Sequence, residues 1–244
     1  LIDVLKDLYP AKILRRINRF VVEVETERGA EKAHNTNTGR LKDLLIRGRK
    51  AFLQKIRCKN KKSCLSYRII AVEDLYEYAI IDTITQNKIF EKLIERNILD
   101  YLRDFRIIRR NPRIGTNVFD YLLKKESKSI IIETKSAVFR GSNGEAMYPD
   151  APTERGRRHF KELTNLKREG IETGIIFIAA FKSPTCFRIY EEIDPQLKDL
   201  FIEALKNNVM IKAFSIYMNS RGEIFLENPD LPLCPSMLRE TFII

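Results

Sequence analysis

Residues 118–139 read Val118-Phe119-Asp120-Tyr121-Leu122-Leu123-Lys124-Lys125-Glu126-Ser127-Lys128-Ser129-Ile130-Ile131-Ile132-Glu133-Thr134-Lys135-Ser136-Ala137-Val138-Phe139. Two apolar runs flank a polar turn at Lys124 to Lys128, which predicts a strand over 118–123 and a returning strand over 129–139. Asp120 falls on the first strand, and Glu133 and Lys135 fall on the second. Residues two apart share one face of a sheet, so Glu133 and Lys135 point the same way, and adjacent strands can bring Asp120 to the same point. Two carboxylates so placed hold a hard cation such as Mg2+ (or Mn2+) that keeps several waters. A lysine beside them orients an attacking water or neutralises charge developing on a phosphate. The candidate catalytic residues are therefore Asp120, Glu133 and Lys135, with Asp120 and Glu133 as metal ligands. A solvated strand face, or a buried Glu-Lys pair without catalysis, would leave the same spacing. The flanking Ile130 to Ile132 and Ala137 to Phe139 argue for burial, where an unpaired Glu or Lys is costly.

The chain has 244 residues, 44% of them hydrophobic and 32% charged, enough for one large core or two smaller ones in a soluble globular protein. The longest apolar stretch, Ile175 to Phe181, falls far short of the roughly 20 residues that cross a bilayer. The first residues, Leu1 to Asp7, mix acids into their apolar run, unlike a secretory leader. Residue 1 is not methionine, so residues are expected ahead of it. The 44 Lys and Arg exceed the 33 Asp and Glu to give a formal charge of +11. The excess gathers at 12–19, 47–50, 57–62, 103–113 and 155–161. Clustered cations attract polyanions and gain from counterion release, so nucleic acid is the expected partner, against the alternative of a generally basic, solvated surface. A membrane is not expected, because no basic amphipathic helix carries an aromatic face. Cys58, Cys64, Cys186 and Cys234 have no zinc spacing. Cys58 and Cys64 could form a local disulfide, but ordinary thiols in a reducing cytoplasm are the expectation.

Strands are expected at 19–27, 41–46, 50–57, 65–73 and 77–83, a set that suits an OB-like β-barrel over residues 1–83. Ile89, Phe90, Leu93, Ile94 and Ile98 then form a helical stripe capped by Thr85 or Asn87. Strands follow at 105–110, 118–123 and 129–139. A helix runs from a Thr153 cap to Glu169 with Gly170 as its stop. After a strand at 174–181, Asp194-Pro195 opens another helix, and strands at 210–217 and 222–227 complete the pattern. The fold class is α+β, or α/β: an OB-like barrel followed, over residues 84–244, by a restriction-endonuclease-like (PD-(D/E)xK) domain. Glu91 or Glu95 on the helix ahead of the three strands could add a carboxylate.

Two further segments suggest binding. Asp150 precedes a helix whose first turns hold Arg155, Arg158 and His159, and a helix N-terminus favours phosphate. Asp150 could instead be a capping residue, and His159 could pack beside Phe160 and Leu163. The loop 33–40 offers amide, hydroxyl and Arg40 donors with Gly39 for close approach, or is a simple turn.

Arg16 to Phe20, Ala33 to Arg40, Asp120 with Leu122-Leu123, Glu133 to Ser136 and Tyr148 to His159 stand in one order along the chain. In these motifs, from about residue 15 to residue 217, the chain resembles the sugar fermentation stimulation protein family. The resemblance implies an N-terminal OB-like domain, a C-terminal PD-(D/E)xK nuclease-like domain, binding of DNA and regulation of sugar metabolism; the small barrel, a common platform for single-stranded nucleic acid, keeps single-stranded DNA among the options. It places the metal site on Asp120, Glu133 and Lys135. It also points to Arg16, Arg19, His34, Asn35, Asn37, Arg40, Asp150, Thr153, Arg155, Arg158 and His159 as nucleic-acid-binding residues. Two positions depart from the family pattern: Val118 stands where an arginine is usual, and Asn111 where a glutamate is usual. The departures leave room for a second reading, a DNA-binding transcriptional regulator that keeps the scaffold without cleavage.

Overall fold

A computed structural model describes residues 1–56 and 65–239. The N-terminal part holds β1 (Asp3–Val4), β2 (Leu8–Arg16), β3 (Val21–Thr26), β4 (Gly29–His34), β5 (Lys50–Lys55), β6 (Tyr67–Glu73) and β7 (Tyr78–Ile80). Alternation drives it: Val22 and Val24 on β3, and Ala51 and Leu53 on β5, are buried while their neighbours are not. β4, β3, β2, β5 and β6 are neighbours in that order. β4 also pairs in parallel with β6 through Ala33–Tyr67 and His34–Arg68, so the path of pairings returns to its start.

The members of this ring differ from the expected strands. Segment 41–46 is not a strand, because Leu41 adopts a left-handed φ of 50° and its carbonyl accepts from the N–H groups of Leu44 and Leu45. That turn buries Leu41 and Leu44, whose apolar side chains imitate a strand signal. The ring includes two strands outside the expected set, β4 and β2; β2 is masked in the sequence by Pro10, Lys12, Arg15 and Arg16 although Ala11 and Ile13 alternate inward.

The rest of the chain forms α1 (Thr83–Glu95), β8 (Arg106–Arg110), β9 (Arg113–Ile114), β10 (Asn117–Val118), β11 (Tyr121–Lys125), β12 (Lys128–Ser136), β13 (Phe139–Arg140), β14 (Ala146–Tyr148), α2 (Glu154–Arg168), β15 (Glu172–Ala179), β16 (Phe187–Ile189), α3 (Pro195–Lys206), β17 (Met210–Met218), β18 (Glu223–Asn228) and α4 (Pro235–Arg239). β12, β15 and β17 run parallel, and β11 and β8 continue the sheet antiparallel beyond β12. β7 is the seam: it pairs with β6 through Ala71–Ile80 and with β17 through Met218–Tyr78, so one sheet runs through both parts.

Parallel strands need helical crossovers that cover the sheet. Phe160 of α2 and Phe201 of α3 pack on Phe177 with ring centroids 6.4 and 6.5 Å away. Phe177 pairs with Ala213, so the next residue, Phe214, points to the opposite face, where Phe90 of α1 stacks on it at 6.3 Å. Burying each such ring contributes about 1.5–3 kcal/mol. α1 is capped by Asp82 rather than by Thr85 or Asn87: the Thr85 N–H donates to Asp82 at 2.9 Å. α2 is capped by Thr153, which accepts from the Gly156 N–H at 3.0 Å, and the chain leaves the helix through Gly170 at φ 86°. No helix among the described residues is long and apolar enough to cross a membrane.

The expectation of free thiols fails at one pair. Cys186 and Cys234 form a disulfide across 48 residues of sequence. The Phe187–Leu233 bridge and the Cys234 N–H bond to the Phe187 carbonyl align the two segments, a juxtaposition local sequence cannot reveal. Cys58 and Cys64 lie outside the described residues. Reducing the Cys186–Cys234 bond is expected to lower stability by about 2–4 kcal/mol, through the freedom regained by the unfolded chain. Urea midpoints with and without reductant measure this, and equal midpoints contradict it.

Candidate active site

The last pair between β11 and β12 is Tyr121–Ile132. Glu133 and Lys135 share one face of β12, and Asp120, just ahead of β11, adjoins the strand end where Glu133 lies; all three line one cavity. Asp120 is not in the strand itself but in the bend between β10 and β11. Thr134 fixes it there: its N–H and its hydroxyl lie 2.8 and 2.5 Å from Asp120 Oδ2. The structure thus brings Asp120, Glu133 and Lys135 to the wall of one cavity at the C-terminal end of β12.

Glu133 and His159 are buried, at 3% and 1% exposure. Lys135 Nζ lies 2.5 Å and His159 Nδ1 2.6 Å from Glu133 Oε1, the latter a contact that needs the proton on Nδ1. The other carboxylate oxygen, Oε2, is buried with no hydrogen-bond partner among the described residues. Burial works against the Glu133 charge, but the Lys135 ammonium and the His159 ring outweigh it and hold the acid below its usual range. Burial likewise opposes the Lys135 charge, yet Glu133 more than compensates, and the ammonium is held above its usual value. Asp120 goes the other way: burial pushes its pKa up, the Glu133 charge adds to this, and the Thr134 bonds offset only part.

An orphaned buried carboxylate oxygen beside a second carboxylate is the donor set of a hard cation. Among the described residues no group of three His, Cys, Asp or Glu forms a metal cluster, so waters would complete the shell of a hard cation held by these two carboxylates. Because the Asp120 pKa is raised, protons compete with metal before the ordinary aspartate value of 3.8 is reached on acidification. Calorimetric titration with Mn2+ is expected to show affinity falling with pH above that value. An affinity that stays flat down to it contradicts the assignment.

The trio lies in a cavity of about 740 Å3. Of the predicted binding residues, Arg19, Asn37, Asp150, Thr153 and Arg155 line it with them. Arg16, His34, Asn35, Arg40, Arg158 and His159 do not. Arg16 instead braces the loop, donating to the carbonyls of Gly39, Arg40 and Arg19. The Asn35 amide is fully buried and donates to the carbonyls of Arg19 and Asn37 at 3.2 and 2.6 Å. Asn37 reaches across to Ser136 Oγ at 3.2 Å. Asp150 accepts from the Leu41 N–H at 2.8 Å, and a Cβ at residue 39 would come 2.2 Å from its Oδ1, which is why Gly39 stands there. His34 sits in the β4 pairings, Arg40 is exposed outside the cavity, and Arg158 donates to Asn117 Oδ1 at 3.0 Å. His159 lies beneath the site, against Glu133 and the Phe119 ring at 5.4 Å.

Glu91 and Glu95 do not line this cavity; Glu91 is held by Arg110 at 2.8 Å. α1 contributes Gln86 and Asn87 instead. Gln86 Nε2 donates to Ser136 Oγ at 2.9 Å, and Asn87 Oδ1 lies 3.0 Å from the Thr134 hydroxyl. Placing the helix start at Asp82 would have revealed them as a polar pair on its first inward turn. Asn111 adopts a left-handed φ of 52° and its N–H donates to the Asp120 carbonyl, so this departure adjoins the site.

Residues 14–81 match the family model described as SfsA N-terminal OB domain, and residues 84–222 the one described as sugar fermentation stimulation protein RE domain. A sugar fermentation stimulation protein homolog of Pyrococcus furiosus is 44% identical over 219 residues, 89% of this chain and 92% of the relative. A homolog of Archaeoglobus fulgidus is 36% identical over 222 residues, 90% of this chain and 93% of the relative. The solved structure of Pyrococcus furiosus SfsA in complex with Ca2+ is similar with a TM-score of 0.90 at 39% identity, covering 96% of this chain and 98% of that one. The chain belongs to the sugar fermentation stimulation protein family.

Proposed function

We propose that this protein is a metal-dependent phosphodiesterase acting on DNA, with residues 1–83 as an OB-like binding part and residues 84–244 as a PD-(D/E)xK nuclease-like part. The observation that carries the reading is the buried, unpartnered Glu133 Oε2 beside Asp120, with Lys135 on the same face. Asp120 and Glu133 would hold Mg2+ or Mn2+. When bound, such an ion lowers the pKa of a water and offsets charge on the phosphate. Lys135 keeps a permanent positive charge beside the reacting phosphate and orients the attacking water. His159 holds Glu133 Oε1 at 2.6 Å, which leaves Oε2 as the ligand atom. The Ca2+ bound to the Pyrococcus furiosus relative supports a divalent cation in this chain as well. The +11 charge and the arginines of the cavity support a polyanionic substrate.

The test is labelled DNA incubated with the protein in Mg2+ or Mn2+ and in chelator. Cleavage in metal, lost with chelator, is the expected outcome. Strongly salt-dependent binding without cleavage under either metal removes the hydrolytic reading and leaves a DNA-binding regulator on the same scaffold.

A further inference from the structure

We infer that the cavity admits one unpaired DNA strand, or the frayed end of a duplex, and excludes the interior of a duplex; the inference rests on the phosphodiesterase reading of the same site. Glu133 is 3% exposed and the Lys135 side chain 10%, so the reactive groups sit on the cavity floor. One wall is the loop 36–39 of the N-terminal part, and the other is the segment 148–157 that leads into α2. These walls are fastened to each other and to the sheet. Asp150 accepts from Leu41, Asn37 donates to Ser136, and the Thr36 hydroxyl donates to Asp82 at 2.7 Å.

The cavity, about 740 Å3, lies within the roughly 300–1,000 Å3 that encloses a drug-sized ligand, room for about one or two nucleotides. A phosphate inside a duplex carries its partner strand with it and cannot descend between two fixed walls. Enzymes that must reach a base inside the stack meet a comparable steric limit by acting on unpaired strands or by extruding a nucleotide.

The rim fits a single strand. Arg19 from the N-terminal part and Arg155 from α2 both line the cavity, and neither pairs with an acid among the described residues. Arg157 differs, being tied to Asp194 at 3.0 Å. Phe20, next to Arg19 in the turn between β2 and β3, is 50% exposed. An exposed ring one residue from an arginine that has no acidic partner among the described residues suits a base stacked near its own phosphate.

The experiment uses the full chain carrying Lys135→Ala, so that strands are cut slowly relative to binding, in Mn2+. Its affinities are measured for a labelled single strand, a blunt duplex of the same sequence, and that duplex with a single-stranded tail. The single strand and the tailed duplex are expected to bind at least about tenfold tighter than the blunt duplex. Adding Phe20→Ala is expected to weaken single-strand binding by about tenfold and leave blunt-duplex binding unchanged. The wild-type protein is expected to cut only unpaired segments. Equal or tighter binding of the blunt duplex, or cuts in its interior, overturns the inference while leaving the hydrolytic reading intact. A strand preference with no cleavage of any substrate does the reverse. A Phe20→Ala protein that folds and binds single strands normally overturns the stacking contact.

Discussion

Under the proposed phosphodiesterase reading, replacing Lys135 with alanine is expected to lower metal-dependent DNA cleavage by about 10²–10⁴-fold, the usual worth of a positioned proton-transferring or charge-stabilising group. Asp120→Asn lowers it by a similar factor for a different reason. The asparagine keeps the shape that meets Thr134 but supplies no negative charge for a cation. The two variants therefore separate in a second measurement. Lys135→Ala still binds Mn2+, because both carboxylates remain and a nearby positive charge has been removed, whereas Asp120→Asn binds it weakly. Full cleavage by Lys135→Ala would show that the lysine only neutralises Glu133.

Glu133→Ala has the largest expected effect on stability. Lys135 is nearly buried and Glu133 is its partner at 2.5 Å, so removing the carboxylate strands an ammonium, and breaking such a pair costs about 3–5 kcal/mol. Replacing both residues, Glu133→Ala with Lys135→Met, recovers most of that loss, since an apolar pair has no charge to strand. Urea unfolding at neutral pH measures both, and a loss below about 1 kcal/mol for Glu133→Ala contradicts the buried pairing. The pH dependence has a definite sign. Glu133 titrates below its ordinary 4.5, so its contribution is present above that value and disappears as pH falls through the depressed folded value. Lys135 titrates above its ordinary 10.5, so its contribution is present below that value and disappears as pH rises through the raised one.

The meeting of the three side chains was legible because it depends on one hairpin: a polar turn, two apolar runs and a period of two fix the register. The bend that takes Asp120 out of its strand was not, since it depends on the Thr134 bonds. The burial of His159 was within reach. Gly156, His159, Phe160 and Leu163 follow the spacing of one helical face, and all four are buried, so the packing alternative for His159 is the one the fold adopts. Contacts between distant segments left no local trace. Thr36 with Asp82, Asn37 with Ser136, Leu41 with Asp150, and Cys186 with Cys234 join stretches that share no periodicity. Those contacts turn the loop 33–40 from a free binding loop into a braced wall, with Asn35 and Arg16 spent on its own carbonyls. The strand β2 was hidden for a simpler reason: its outward side chains are basic, and only Ala11 and Ile13 point fully inward.

The most direct measurement is anomalous scattering from crystals of this protein soaked in Mn2+. The account predicts a peak between the Asp120 and Glu133 carboxylates, with Glu133 Oε2 as a ligand and Oε1 still held by Lys135 and His159. No peak at these two residues under saturating Mn2+, or a peak only elsewhere in the chain, would contradict it.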